Sequence, residues 1–448
     1  MLDCIFYDNH LFATVNYMTK QSRSVKYTAI IGAAILLFNL LLACPVRADD
    51  LTVTKEIVVD SNSNNNSITI TRTSDDGLLI TTTEARAAGD DGLLVAKPAH
   101  KALVLRTDHE GNIKWRYETG LLDPPWTVAA PEYHGAVVMP DGSSFECGEM
   151  PRQDAGFRPD IGGHSHILGL LTHLDRDGNA IGEQVFSPKN NTTGFGVNRF
   201  LACDRLGNGI VIVGTTMRLI PKHADSGGAP VDTENLYWLV AFDTSGKMIW
   251  EKLQPIANAL FVFTPDYISP LQMMLDGGFV FAAAQDQMGS NATEVVHIGP
   301  SGDVVSRIRM DGLLTIAPQK KEHNQVALVS LGTVGPTTSL IVLDDQLHEL
   351  HRNSVKRHRS FETAAFLLSD QTLILFGSKP EEGPLFSMKA SVAKVDAVSG
   401  NENDLLFVND KANSNWIKDA TAMAAPGAFA AVRIVEPTDL VLDFIHVK

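Results

Sequence analysis

Cysteine is scarce in this sequence, at four residues in 448. Cys4 and Cys44 lie near the start, which leaves Cys147 and Cys203 for the rest of the chain. That excludes a disulfide-rich scaffold and any repeated Cys-x-x-Cys metal or redox pattern. Positive charge is also in deficit, with 37 Lys and Arg against 52 Asp and Glu and a formal net charge of −15. Nucleic-acid binding depends on clustered cations that neutralise phosphates, so no nucleic-acid partner is expected. The one basic stretch, His351-Arg352 with Lys356-Arg357-His358-Arg359, reads as an edge strand defended by charge. A Gly-x-Ser-x-Gly elbow, a His-Glu-x-x-His helix and a phosphate-cradling glycine loop are all missing, which removes local support for hydrolase, metalloprotease and nucleotide-binding mechanisms.

What the chain does have at its start is an export pattern. Lys20, Arg23 and Lys26 precede an apolar run from Thr28 to Ala43 broken only by Asn39. We therefore expect an exported protein, periplasmic or secreted, with residues 1–48 as N-terminal extension and signal peptide. Met18 would give the short basic lead usual for such signals and is an alternative start to Met1. Two signal ends compete: cleavage after Val46-Arg47-Ala48, or the lipobox-like Leu41-Leu42-Ala43-Cys44, which would place a lipid on Cys44. Membrane contact is expected only through the signal or that lipid anchor. An oxidising compartment permits a disulfide between Cys147 and Cys203, provided the fold brings their Cα atoms close enough.

Beyond the signal, two phrases alternate along the chain. The first is a turn followed by an apolar strand, as in Asp76-Gly77-Leu78-Leu79-Ile80, Asp276-Gly277-Gly278-Phe279-Val280 and Pro426-Gly427-Ala428-Phe429. The second is a strand ending in a tight turn, as in Leu103-Val104-Leu105 to Gly111, Leu174-Asp175-Arg176-Asp177-Gly178, and Trp238-Leu239-Val240-Ala241-Phe242-Asp243-Thr244-Ser245-Gly246. In the second phrase Asp caps its own turn and Gly supplies the positive φ, which is hairpin chemistry. First phrases recur at spacings of about 46 to 69 residues, the length of a four-stranded blade with its loops. No helical period of comparable strength is present.

Seven phrase pairs predict an all-β chain folded as a single β-propeller of seven blades, with six as the alternative count. The N-terminal β-rich segments, 51–59 and 67–73, are placed to supply a closing strand. The predicted organisation is 49–66 as N-terminal strand and polar linker, the linker being Ser61 to Asn66, and 67–448 as the propeller.

The phrases resemble those of bacterial exported β-propeller repeat proteins, whose repeats read roughly Asp-Gly-Gly-Phe-Val-Val-x-Gly and then Trp-Leu-Val-Lys-Leu-Asp-x-x-Gly-x-x-x-Trp. Residues 236–282 carry the likeness best, and only Trp115 and Trp250 retain the tryptophan after the turn. The segments Asp108 to Trp115 and Ala241 to Trp250 also look distantly like the tryptophan-docking repeat of the pyrroloquinoline quinone dehydrogenases. None of that family's cofactor or calcium ligands can be matched here, so no cofactor is expected.

Candidate chemistry is sparse. His164-Ser165-His166, with Asp160 and His134 in the same region, offers imidazole and carboxylate in an unspecific spacing, and no metal is predicted from it. The carboxylates Glu146 and Glu149 would serve acid–base chemistry only if buried, and they read instead as solvated turn residues. Insertions lengthen the first three repeats at roughly 83–100, 149–166 and 215–236, on one face of the expected ring, and long loops on a rigid scaffold are where binding concentrates. The expected contacts there are Trp126, Arg152, Arg158, His164, His166, Lys222 and His223. The function predicted is non-catalytic binding of a protein or glycan partner in the cell envelope through these loops. The alternative is a propeller enzyme, a quinone-dependent oxidoreductase or a lyase or hydrolase, with its site at the central channel.

Overall fold

The computed structural model describes residues 51–60, 63–85, 100–119, 131–152, 166–189, 196–221, 231–256, 267–287, 290–319, 324–330, 337–356, 361–369, 372–380, 388–408, 415–435 and 439–448. The chain divides into two units, Met1–Asp50 and Leu51–Lys448. The first unit, with the expected signal peptide, Met18 and Cys44, lies outside the described residues.

Every described element of the second unit is a β-strand. After β1 (Leu51–Asp60) come β2 (Ser63–Arg72), β3 (Leu78–Ala85), β4 (His100–Thr107) and β5 (Ile113–Glu118). Next are β6 (Glu132–Val138), β7 (Ser144–Arg152), β8 (His166–Leu174) and β9 (Ala180–Phe186), then β10 (Gly196–Leu206), β11 (Gly209–Pro221), β12 (Val231–Phe242) and β13 (Met248–Pro255). The following run holds β14 (Tyr267–Ile268), β15 (Gln272–Met273), β16 (Phe279–Gln287), β17 (Ser290–Ile298) and β18 (Val304–Asp311). β19 (Leu314–Ala317), β20 (Val326–Ser330), β21 (Thr337–Leu343) and β22 (Glu349–Lys356) precede β23 (Phe361–Ser369), β24 (Thr372–Pro380), β25 (Met388–Asp396) and β26 (Glu402–Phe407). The chain ends with β27 (Asn415–Ala422), β28 (Ala428–Val435) and β29 (Asp439–Val447). Within each run neighbouring strands pair antiparallel as a meander, with β14 and β15 both pairing with β16, and the two phrases of the sequence fall on the two middle strands.

Apolar residues alternate with polar ones only on the outer strands, because the middle strands are buried on both faces. Thus Phe279 to Ala283 is buried throughout, whereas Val304 to Asp311 alternates. The cores lie between runs rather than within them. Leu105 and Ile80 pack with Leu442 and Val432, which joins the last sheet to the first, and Phe376 packs with Phe429 one step back. Such contacts, continued from run to run and from the last back to the first, close a ring. The chain is a β-propeller.

The blade count differs from the expectation of seven, or six as its alternative. Five blades stand as separate sheets, four of them four-stranded and one five-stranded, while the strands of the second and third phrase pairs share one eight-stranded sheet. The link is a parallel bridge between β8 and β10 at Ile167 and Val197. Asn198 reinforces it by donating Nδ2–H to the Ile167 carbonyl at 3.1 Å, while its own carbonyl oxygen accepts from the Thr216 hydroxyl at 2.7 Å. Repeat counting predicts hairpins but is blind to a lateral bridge of this kind.

Turn chemistry follows the sequence closely. Asp108 Oδ1 accepts from the backbone N–H groups of Glu110 and Asn112, both at 2.9 Å, and Asp175 and Asp243 repeat the arrangement. Hydrogen bonding by the Asn112 side chain, against a small desolvation effect, holds the Asp108 carboxyl below its usual range. Three residues after the aspartate, φ is positive at Gly111, Gly178 and Gly246, and the buried Leu347 takes the same place at +65°. At Gly178 the glycine has a second reason: a Cβ there would sit 2.6 Å from the ring of Trp115, which reaches across from β5 and donates its indole N–H to the Arg176 carbonyl at 3.0 Å. Trp250 lies against Gly302 in the same way, and Ile57 of β1 lies against Gly111.

β1 pairs antiparallel with β29, from Leu51 opposite Val447 to Asp60 opposite Leu440. Beneath this seam Arg433 is fully buried, with Nε 2.6 Å from Asp443 Oδ2 and Nη2 2.5 Å from Glu56 Oε2. Burial pushes the Asp443 carboxyl up to about 6 even with the Arg433 guanidinium beside it. Replacing Arg433 by Met leaves that carboxylate without its counter-charge, and we expect a loss of about 3–5 kcal/mol in urea unfolding. Arg433→Met with Asp443→Leu should recover most of it. A single variant within about 1 kcal/mol of the parent would show that the seam does not rest on this pair.

Candidate functional site

The first strands of the successive runs, β2, β6, β10, β14, β19, β23 and β27, surround a cavity of about 680 Å³. Its wall mixes Ile70, Leu201 and Ile316 with Thr71, Tyr267 and Asp419, so it is not an aliphatic plug. Asp419 accepts the Ile70 N–H at 3.0 Å and so ties β27 to β2. Burial raises the Asp419 carboxyl to about 7, with the backbone N–H groups of Ile70 and Ala420 opposing the shift. Lys418 lies beside it in the wall, at an irregularity in the β27–β28 pairing; burial pulls its ammonium below the usual lysine range, and Nζ lies 5.7 Å from the Trp416 ring centroid. Trp416 itself is exposed.

Beside the cavity wall at His134, β2, β6, β7 and β10 bring polar and ionisable groups together. Ser67 Oγ donates to Glu132 Oε2 at 2.5 Å and lies 3.0 Å from His134 Nδ1. His134 Nε2 is 3.5 Å from Glu149 Oε2, the same oxygen that Arg199 Nε approaches at 2.9 Å. Burial alone would raise the Glu149 carboxyl, but hydrogen bonding and charge from His134, with Arg199 adding to them, outweigh it and hold this group below its usual range. Glu149 is therefore a carboxylate enclosed by an imidazole and a guanidinium.

This cluster lies by strand ends that lead into the long insertions of the sequence. Glu132 pairs with Glu149 and Gly196 with Arg218, so the starts of β6 and β10 sit beside the strand ends that lead into 153–165 and 222–230. Ser63 pairs with Glu84 in the same sense, just before 86–99. The polar stretch expected as a linker enters β2 at Ser63. Of the loop residues expected to bind, Trp126, Arg158, His164, Lys222 and His223 lie outside the described residues, as does Asp160. Arg152 and His166 end β7 and β8 as direct cross-strand partners. The basic stretch at 351–356 lies on β22, the outermost strand of its sheet, where Arg352 Nη2 meets Glu349 at 2.8 Å. Among the described residues no group of three or more His, Cys, Asp or Glu side chains is arranged to hold a metal ion.

Ser67 and Arg199 carry no local sequence signal, since their partners are remote in the chain. Cys147 and Cys203 are both free thiols, flanking Gly135: a Cβ on that glycine would lie 3.2 and 3.0 Å from their sulfurs. Burial first, and the hydrogen bond with Cys147 next, push the Cys203 thiol well up.

No family model matches this chain, and no curated protein does. Among solved structures it is similar to a protein of unknown function from Dyadobacter fermentans DSM 18053, at 10% identity and a TM-score of 0.46, covering 89% of this chain and 100% of that one. It is also similar to an acylaminoacyl peptidase in complex with Z-Gly-Gly-Phe-chloromethyl ketone, at 8% identity and a TM-score of 0.44, covering 84% of this chain and 51% of that one. A third is the β-propeller domain of the Trilobed protease from Pyrococcus furiosus, at 9% identity and a TM-score of 0.42, covering 86% and 96%. This chain thus spans about half the length of the peptidase. Such likenesses say nothing of activity.

Glu146 and Glu149, adjacent in the sequence reading, point to opposite faces of β7. Glu146 is fully buried and accepts from the Ser144 hydroxyl at 2.6 Å, while its Oε2 has no hydrogen-bond partner among the described residues. Burial pushes its carboxyl from 4.5 up to about 8, with Ser144 and the backbone opposing. The folded state therefore keeps this proton through a pH window in which the unfolded chain releases it. The stability associated with the protonated group is full below about pH 4.5 and is lost as pH rises to about 8. Glu146→Gln should remove that slope and exceed the parent by about 2–4 kcal/mol at pH 8, with little difference at pH 4.5, in chemical denaturation at both pH values. Equal slopes in parent and variant would contradict the assignment.

Proposed function

We propose that this protein works outside the cytoplasm as a binding propeller, engaging a protein or glycan of the cell envelope on its long-loop face, with the channel mouth taking hold of the partner. The observation that carries this reading is the coincidence of two features: the strand ends leading into the insertions, and a polar cluster of Ser67, Glu132, His134 and Arg199 beside a cavity of about 680 Å³ whose wall includes His134. Hydrogen-bonding groups from three runs of strands converge there above an apolar and threonine-rich wall, the usual composition of a recognition cavity. Export rests on the signal pattern at 20–48, and the exported-repeat resemblance agrees with it.

Affinity capture of the protein from envelope extract provides the test, with two variants in parallel: removal of residues 222–230, and Lys418→Glu in the channel wall. Loss of the same partner with both variants, by tenfold or more, is the expected result. A partner retained by both would defeat the reading.

Export would also place Cys147 and Cys203 where thiols oxidise, and their approach around Gly135 suits a disulfide between β7 and β10. Thiol titration of the exported protein in denaturant should find none before reduction and two afterwards, both in the 400-residue form cleaved after Ala48 and in the 405-residue form whose Cys44 thiol is taken by lipid. Two thiols before reduction would exclude the bridge.

The enzyme alternative is favoured by one observation, the contact of Ser67 with His134.

A further inference from the structure

We propose that Ser67 is a nucleophilic hydroxyl, with His134 as its base and Glu149 behind the imidazole, and that the channel mouth hydrolyses carboxylic esters. The proposal goes beyond the binding reading and does not depend on it. Ser67 lies inside β2 at a φ of +29°, a backbone conformation that serine seldom adopts. The pairing of β2 with β3 is irregular between Asn64 and Thr69, so the hydroxyl is not fixed by the regular pleat of the strand. It is partly exposed at the rim, and the next residue, Ile68, already lines the cavity together with His134.

Three groups from separate strands stand in sequence at this rim. The Ser67 hydroxyl is 3.0 Å from His134 Nδ1, and the opposite ring nitrogen, buried and without a hydrogen-bond partner among the described residues, is 3.5 Å from Glu149, with Arg199 Nε 2.9 Å from the same oxygen. A hydroxyl, an imidazole within hydrogen-bond reach and a carboxylate charge behind the ring make up a nucleophile–base–carboxylate set, recognised by geometry rather than by order in the chain. Glu132 adds a feature of its own. The hydroxyl has one proton and two acceptors, and in the resting arrangement it donates to Glu132 at 2.5 Å. An ester entering from the cavity is attacked when that proton passes instead to His134 Nδ1.

The step balances without any co-reactant but water. Ser67 Oγ bonds to the ester carbonyl carbon as its proton moves to His134 Nδ1. The tetrahedral adduct then collapses, the ester C–O bond breaks, and the alcohol leaves with the proton from Nδ1. Water, giving its proton to the same nitrogen, cleaves the acyl-serine, and the acid departs as the proton returns to Ser67. Short acyl groups suit the apolar part of the wall around Ile70 and Leu201.

The test is labelling of the exported, full-length mature protein with a fluorophosphonate, the adduct mapped by mass spectrometry, with p-nitrophenyl acetate hydrolysis followed alongside. An adduct on Ser67 in the parent, absent in Ser67→Ala and formed on the order of 100-fold more slowly in His134→Gln at unchanged thermal unfolding, is the expected result. A folded parent that takes no label on Ser67 overturns the proposal. So does labelling of His134→Gln at the parent rate, because the hydroxyl would then need no base.

Discussion

The antiparallel seam between β1 and β29 is the constraint on which the ring depends. A propeller meander has two loose ends, and each sheet packs its apolar faces only against its neighbours, so an open ring would expose the last core to water. Here Leu51 to Asp60 is added to β29 as the fourth strand of the terminal sheet, and the core of Val59, Ile80, Leu105 and Leu442 is sealed as a result. Arg433 sits under this seam and reaches both β29, through Asp443, and β1, through Glu56. A buried cation with two carboxylate partners favours one register of the closing strand, since a slip by one residue would turn Glu56 to the other face.

A second device holds neighbouring runs at a fixed separation. Trp115, Trp250 and Ile57 each leave an outer strand and lie on the turn glycine of the following run. The contact needs a residue without a side chain on one side and a broad apolar surface on the other. This explains why the turn glycine recurs more faithfully than the tryptophan: an isoleucine serves where the terminal sheet meets the first one. At the corresponding turn of the run that follows β18, Leu347 replaces the glycine and is itself buried, in one cluster with Met310 of β18.

Much of the fold was legible in the sequence because it is local. The alternating phrases fall on the two middle strands of each run, and the Asp-capped turns have the hydrogen bonds their spacing implies. The division into separate blades was not legible, since it turns on Asn198 bonding to the backbone at Ile167, which no repeat pattern records. The mouth cluster was hidden for a related reason. Ser67, His134 and Arg199 are brought together only by the lateral packing of β2, β6 and β10, which lie far apart in the chain. Glu146 and Glu149 read as solvated turn residues, yet both are buried on β7, where three residues along a strand means opposite faces.

The antiparallel sense of the closing seam also sets how the ring bears a load. Leu51 and Val447 are partners at the same edge of the terminal sheet. A pull applied between these two ends acts on the ladder as on a zipper, one hydrogen-bonded pair at a time, instead of shearing all the pairs together. The first pairs to open are those nearest Leu51 and Val447, so peeling uncovers the core around Leu51 and Ile445 first, and the Glu56 contact with Arg433, part-way along, is the next resistance it meets.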